Sequence, residues 1–595
     1  MKKEWKNPLL YLFSKGWQYS DNKKRVVCFW VLFILAEIIE TFFYPLVLAR
    51  IMDIAQKEGV TADTVNRLFT LLGLLIVSVI IAWILHGPAR VLEMLNAFKI
   101  KANYRKYLLK GVVTLPLEWH VDHHCGDTID KIEKGTKALH DFSSSSFTII
   151  YAFVRLLGSY AMLVYFSHSA AYIVLGMVLL SMFITMQFDR ILVKQYDILN
   201  RSENEISESV FDRISNITTV IILRVEKLVL DVISKKIDEP YELQLRNNKI
   251  NELKWFLVQV SCTLMTATVL GTYFWQTSKS GQTILMGSLF LLMNYLDRIS
   301  NLFFQFAHEY GEILKHRSRV ANSELLTKDF RDESLSNHVL PTNWQNLSIK
   351  NLNFTYSGGK EGYIHINNAN LEIHHGQKVA FVGKRGSGKT TLLRIMRDLY
   401  KPKSLTLEAD GVEIPNGTDG ISRAVALIPQ TPEIFATTIR ENITFGAEVS
   451  DEMIQKITDI ACFSEVIKDL PKGLESTTKE KGVNLSDGQR QCLALARGLL
   501  ASEGRDIILL DEPTSSLDKA TERKVYGNIF KHFPDKTIIS TVHGLHLLPL
   551  FDIIYVFDKG EIVGRGTVEK LLSSCPRFQK LWQAMENVAE ELEEK

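Results

Sequence analysis

Apolar residues are spread unevenly along this 595-residue chain. Up to about Phe306 they gather into six runs, at roughly 25–47, 68–88, 147–166, 170–189, 255–275 and 283–306, each near the ~20 residues a helix needs to cross a bilayer. None of the runs carries the polar stripe of a soluble helix, so they read as membrane spans and not as buried core helices. Beyond Phe306 the pattern becomes ordinary mixed sequence, as expected of a separate soluble domain.

The connections between the runs set the orientation. Ala89–Ser146 and Arg190–Lys254 are long and rich in Lys and Arg, whereas the other three are short. Basic connections stay on the cytosolic side, and an even number of spans puts both termini and the C-terminal half there as well. The opening MKKEWKNPLLYLFSKGW has no small-residue cleavage site, and the run after it is too long for a signal peptide. It is expected to form an amphipathic helix lying on the membrane, with Lys2, Lys3 and Lys6 toward anionic headgroups. The expected organisation is an N-terminal amphipathic segment, 1–24; a membrane domain with six helices, 25–316; a linker, 317–343; and a soluble domain, 344–595.

Charge and cysteine content add exclusions. A net charge of +2 gives no global basic field for nucleic acid. The cysteines, Cys28, Cys125, Cys262, Cys462, Cys492 and Cys575, show neither paired nor metal-ligand spacing, so neither a disulfide nor a zinc site is expected. The NIT triplets at Asn216 and Asn442 fall on the cytosolic side, which rules out glycosylation there.

The soluble half carries the chemistry. A strand-like VAFVG runs into GKRGSGKTTLLRIM, so Gly383–Thr390 fits G-x-x-x-x-G-K-[ST] between a strand and a helix. Gly383, Gly386 and Gly388 let the backbone curl, so that the NH groups of Lys384, Arg385 and Ser387 turn toward phosphates; Thr391 follows at the helix start. Lys389 would neutralise the β and γ groups, and Thr390 can bind magnesium. Further on, DIILLDEPTSSLD reads as a buried parallel strand ending in Asp511 and Glu512. There an aspartate can hold the metal and a glutamate can polarise the attacking water.

With these motifs in order, the chain resembles the ABC transporter family, specifically exporters that fuse one membrane domain to one nucleotide-binding domain. The resemblance implies an α-helical transmembrane domain followed by an α/β P-loop ATPase domain, with ATP and Mg2+ as cofactors. It implies that Tyr356 in FTYSGG stacks on adenine, Gln430 reaches the metal and water, and His543 in STVHGL contacts the γ-phosphate. Asp518 in SSLD matches a loop at the dimer interface, and Leu485, Ser486, Gly488 and Gln489 in LSDGQ match the signature loop that touches ATP held by the partner. The segments LPLEWHVDHHCGDTIDKI and ENEISESVFDRISNITTV fall where family members dock their cytosolic helices on the nucleotide-binding domains. One chain has one of each part, so it implies a second half-transporter, expected to be an identical copy, in the lipid of a bacterial inner membrane. The expected activity is ATP-driven export of a substrate that no motif names. A non-transporting ATP-gated channel or sensor on the same scaffold, or an importer, remains an alternative; Glu512 and His543, both present, favour turnover.

Two features depart from a plain family reading. The third signature residue is usually glycine and here it is Asp487. A carboxylate ~5 Å from a phosphate would be repelled by about 3 kcal/mol at an effective dielectric near 20. One turned away would cap the following helix and favour its dipole by roughly 0.5–1 kcal/mol, so the second arrangement is expected. The other feature is a set of ionisable residues inside the spans, Glu37, Glu40, Arg155, Asp297 and Arg298. Each would cost roughly 3 kcal/mol against lipid, so each should face the bundle interior or a water-filled cavity. They could pair with one another and lock the helices, or line a substrate cavity.

Overall fold

The computed structural model describes residues 7–123, 125–281, 283–330, 340–356, 365–478 and 485–583. The chain divides into two compact units, Met1–Leu115 with Trp119–Arg331, and Pro116–Glu118 with Asp332–Lys595.

The first unit is helical: α1 (Pro8–Tyr19), α2 (Lys23–Ile38), a π-helical turn (Ile39–Phe43), α3 (Tyr44–Lys57), α4 (Ala62–Val113), α5 (Leu117–Asp122), α6 (Cys125–Ser144), α7 (Ser146–Phe166), α8 (His168–Ser215), α9 (Ile217–Ile222), α10 (Glu226–Asp238), α11 (Tyr241–Ser280) and α12 (Met286–Glu324). Five long helical stretches among the described residues are apolar enough to cross a membrane. The sixth run lies in α12, which also carries Asp297 and Arg298. The long basic connections are largely helical extensions of α4, α8 and α11, and not loops.

The amphipathic N-terminal segment does form a helix, capped by Asn7 and with Pro8 at its first position. Part of its apolar face packs on protein, while Leu10 and Trp17 stay exposed. Leu12 is fully buried in a cluster with Ile100, Tyr104, Leu139 and Val320, and Tyr11 donates to Glu324 Oε2 at 2.5 Å. Lys2, Lys3 and Lys6 lie outside the described residues.

Inside the bundle, ionisable groups are matched with partners. Glu37 is 0% exposed and accepts from Arg155 Nε at 2.5 Å, Arg155 Nη2 at 3.2 Å and Thr41 Oγ1 at 2.9 Å. The π-helical turn follows at once: Tyr44 N–H bonds to Ile39, five residues back, and Pro45 has no N–H to offer the next turn. Arg298 Nη2 donates to the Glu40 carbonyl in this turn at 3.3 Å, while the exposed Glu40 carboxylate lies 3.6 Å from Arg155. Asp297 accepts from Asn301 at 2.9 Å. Glu93, also fully buried, takes Ser146 Oγ at 2.6 Å and Phe147 N at 2.9 Å, and so caps α7 from a neighbouring helix. Lys254 with Asp189 at 3.1 Å, and Asn247 with Gln195 at 3.1 Å, tie α11 to α8.

The second unit holds two sheets. Strands β1 (Asn346–Phe354), β2 (Ile366–His374), β4 (Ser404–Ala409) and β5 (Val412–Glu413) form an antiparallel sheet in the order β2-β1-β4-β5. Strands β3 (Lys378–Gly383), β6 (Val425–Ile428), β7 (Ile507–Asp511), β8 (Thr537–Thr541), β9 (Ile553–Asp558) and β10 (Glu561–Gly566) form the other, in the order β10-β9-β3-β8-β7-β6, parallel except for β10. Helices follow as α13 (Lys389–Met396), α14 (Thr418–Ile421), α15 (Ile439–Thr444), α16 (Asp451–Ile460), α17 (Ser464–Asp469), α18 (Asp487–Ala501), α19 (Lys519–His532) and α20 (Val568–Ser574). Alternation along β3 sends Val379 and Phe381 into one core with Leu393 and Leu371, and Ala380 and Val382 into another with Leu495 and Ile529. Strands β3, β7 and β8 are therefore buried on both faces; β3 and β7 are largely apolar, while β8 also buries Thr537, Ser540 and Thr541.

Arg155→Ala is expected to destabilise the membrane unit by about 3–5 kcal/mol, because it strands a buried carboxylate. The thermal midpoint of the full protein in lipid nanodiscs reads this; an unchanged midpoint would show that the pair holds nothing together.

Candidate functional site

Ligands of open parallel sheets bind outside the carboxyl ends of the strands. Here β3, β7 and β8 deliver their last residues to one place. β3 ends at Gly383, where φ is +155° and a Cβ would stand 2.3 Å from the Phe557 carbonyl, so only glycine fits. The loop then turns into α13 at Lys389. Lys389 is buried; its Nζ donates to the carbonyls of Gly383 at 2.9 Å and Lys384 at 3.2 Å. Burial lowers its pKa, against the opposing pull of Glu512 and Asp511. Ser387 Oγ is buried in the same loop with no hydrogen-bond partner among the described residues, whereas Lys384, Arg385 and Gly386 are exposed. A loop with an orphan hydroxyl, an ammonium bonded only to the loop's own carbonyls and exposed backbone fits a polyphosphate.

From β7, Asp511 Oδ1 accepts from Thr390 Oγ1 at 2.8 Å and Thr541 Oγ1 at 3.0 Å, and burial raises its pKa. Glu512 follows in the left-handed region, φ +48°. Its N–H donates to Thr541 Oγ1 at 2.8 Å, its Oε2 accepts from Gln430 Nε2 at 2.6 Å, and its Oε1 lies 2.5 Å from His543 Nε2. The His543 hydrogen bond holds the Glu512 carboxyl below its ordinary pKa. Asp511, Thr390 and Gln430 form an oxygen-rich donor set of the kind magnesium takes. Tyr356 stands at the margin: its hydroxyl is 3.2 Å from Thr391 Oγ1, and its ring is edge-on to Phe354, His365 and Tyr400. Ser357, Gly358 and Gly359 of the FTYSGG motif fall outside the described residues.

The signature-like loop is a separate element from the phosphate loop. Among the described residues, no hydrogen bond joins Leu485–Gln489 to Lys384–Thr390. Ser486 is the N-cap of α18, accepting from Gln489 N at 3.2 Å, while Gln489 Oε1 accepts from Ser486 N at 2.9 Å. This corrects the expectation that Asp487 is the cap. Asp487 lies in the first helical turn, with its side chain 77% exposed and paired with Arg490. The physical reason is reach: the residue before the first turn has the extended backbone that aims its oxygen at the free N–H groups. Asp518 also caps, taking Ala520 N at 3.0 Å and Thr521 N at 2.9 Å at the start of α19. Sequence reasoning missed Thr541, which braces both acidic residues. Its one sequence signal is a hydroxyl residue two places before His543 at the end of a buried strand.

Known proteins resemble the chain over most of its length. The "ABC transporter" family matches residues 366–515, and the "ABC transporter transmembrane region" matches 26–296. Heavy metal tolerance factor 1 of Caenorhabditis elegans is 28% identical over 80% of the chain, which spans 60% of that relative. ATP-dependent lipid A-core flippase 2 of Colwellia psychrerythraea is 27% identical over 82% of the chain and 83% of its own length. A solved bacterial Atm1-family ABC exporter with ATP bound superposes with a TM-score of 0.83 over 94% of the chain and 99% of its own, at 20% identity, which establishes the fold.

Ser486→Ala is expected to cost about 1 kcal/mol at the start of α18, whereas Asp487→Asn should cost less than about 0.5 kcal/mol, since it breaks only an exposed pair. Hydrogen exchange at the Gln489 amide measures both; equal loss of protection would mean that Asp487 shares the cap.

Proposed function

The chain belongs to the ABC transporter family, and on that footing we propose that two copies form an exporter driven by ATP hydrolysis. The observation that carries the reading is the holding of Glu512 between Gln430 and His543, beside the Thr390–Asp511 pair. A gated channel or sensor needs ATP binding alone, while this arrangement keeps an ionised carboxylate aimed by two side chains, as turnover requires.

On ATP binding, Lys389 would exchange its loop carbonyls for phosphate oxygens, as Ser387 and the NH groups of 384–388 close on the same anion. Thr390, Asp511 and Gln430 would hold Mg2+, which supplies charge neutralisation on the phosphates. Glu512 would orient and deprotonate the attacking water, and His543, released from it, would contact the γ-phosphate. Tyr356 would stack on the adenine.

Among the described residues, Leu485–Gln489 has no hydrogen bond to its own phosphate loop, which fits a head-to-tail dimer in which it serves the partner's ATP. Ser486 Oγ accepts from Gln489, so its own proton, together with the Gly488 N–H, would be the donor to phosphate. Asp518 would lie in the loop at that interface. The complete set of parts in one chain supports a homodimer. We place the soluble unit on the cytosolic side of a lipid bilayer, a bacterial inner membrane by analogy with the Colwellia relative. We also retain the boundaries 1–24, 25–316, 317–343 and 344–595 for its segments.

The named relatives differ in what their names say they handle, so the cargo is argued from the spans. Glu37 and Arg155 neutralise each other. Glu40 and Asp297 keep exposed carboxylates, and Arg298 has no carboxylate within ion-pair reach among the described residues. Ser159 Oγ and Tyr295 Oη, a turn from Arg155 and Arg298, are buried without a hydrogen-bond partner among the described residues. Such a lining suits a cargo with polar or charged groups.

In inside-out vesicles the parent should show ATP-dependent uptake, and Glu512→Gln should bind ATP yet hydrolyse it about 100-fold more slowly or worse. Parent-like turnover in Glu512→Gln would sink the reading. In a panel of charged and neutral compounds, Arg298→Ala and Glu40→Gln should lose ATPase stimulation by charged cargo at an unchanged thermal midpoint. Stimulation retained in both variants would remove these residues from the pathway.

A further inference from the structure

The residue after Arg490 is not used in the mechanism above. Gln491 lies one turn into α18, 4% exposed and hydrogen-bonded at both ends of its amide. Its Oε1 accepts from Ser516 N at 2.7 Å; its Nε2 donates to Ser515 Oγ at 3.0 Å and to the Glu512 carbonyl at 3.3 Å. The Glu512 backbone is thus held on both sides of its Cα, because its N–H is held by Thr541. A second contact runs beside the first: a Cβ on Gly488 would stand 3.2 Å from the Ser516 carbonyl and from Leu517. The segment Ser486–Gln491 therefore abuts Glu512–Leu517 through backbone and side chain, with little room for one to slide past the other.

We infer that Gln491 is a positioning residue that links the two ATP sites of the dimer. The inference rests on the head-to-tail reading above, in which the start of α18 serves the partner's nucleotide while Glu512 serves the chain's own. Movement of Ser486 toward the partner's phosphate carries α18 as a rigid body, since a helix does not compress along its hydrogen bonds. The Gln491 amide passes that movement to the Glu512 carbonyl and, in the other direction, braces the start of α18 that serves the partner's nucleotide. Glu512 sits in a sparsely populated backbone conformation that persists only where its surroundings hold it, so a small pull there re-aims its carboxylate. A planar amide suits the task because it donates and accepts at fixed separation.

Mixed dimers of the full chain, purified through two different tags and reconstituted in nanodiscs, separate this role from a local one. One protomer carries Glu512→Gln, so a single site turns over. Gln491→Leu is then placed either in the protomer with the live Glu512 or in its partner. Both placements should slow turnover about tenfold, and in the homodimer Gln491→Leu should bring the Hill coefficient for ATP down to one. Gln491→Glu, which keeps the acceptor for Ser516 N, should retain part of both and serves if Gln491→Leu does not fold. Slowing from one placement only, or from neither, overturns the link, as does slowing with the cooperativity of the parent. The head-to-tail reading is checked apart from this: Ser486→Cys of one protomer should cross-link to Gly386→Cys of the other when ATP and an added oxidant are present. Failure to cross-link rejects the dimer arrangement itself.

Discussion

An ionisable group taken out of water must find a partner or lose its charge, and that requirement organises both units. In the membrane unit it joins Glu37 to Arg155, Lys254 to Asp189, and Glu93 to the first turn of α7. In the soluble unit it wraps Lys378 in the carbonyls of Gly376, Phe533, Pro534 and Lys536, which ties the start of β3 to the end of α19. At the site the same requirement is met only provisionally. Lys389 borrows carbonyls of its own loop, and Glu512 borrows His543 and Gln430. Partners of that kind can be traded for phosphate, metal and water; those in the membrane unit cannot be traded without stranding a charge.

Legibility from sequence followed the range of each interaction. Apolar runs are local, and the family fold inferred from them and from the ordered motifs is the one found. The phosphate loop is also local, one strand, one turn and one helix in a single stretch, so Gly383–Thr391 could be read residue by residue. Partners from distant segments were legible only as a set: that the charges inside the spans could pair was readable, but nothing near Glu37 singles out Arg155, 118 residues away, and nothing in STVHGL shows that Thr541 rather than His543 braces the backbone of Glu512. The N-terminal helix was read as a helix, but an amphipathic pattern gives an apolar face without saying which of its residues pack on protein, and here Leu12 does.

The signature loop illustrates a finer limit. Ser486 and Asp487 are both good helix-capping residues by type, and charge alone favoured the acid. Backbone geometry decides between them by one position, a difference that side-chain preference does not resolve. The acid then takes the nearest cation on its face, Arg490, one turn on.

The π-helical turn at Ile39–Phe43 acts on the first span as a whole. One residue inserted into a helix advances everything after it by about 100° around the axis. Both ends touch α4, but before the turn α2 packs also on α7, and after it α3 packs chiefly on α12. The span thus works like a shaft with an offset key, whose two ends address different neighbours from the same sequence of faces. Removing a single residue between 39 and 43 would leave the length almost intact while turning Val47 and Ile54 off the buried face they share. Along this stretch the chain should tolerate changes of side chain far better than changes of count.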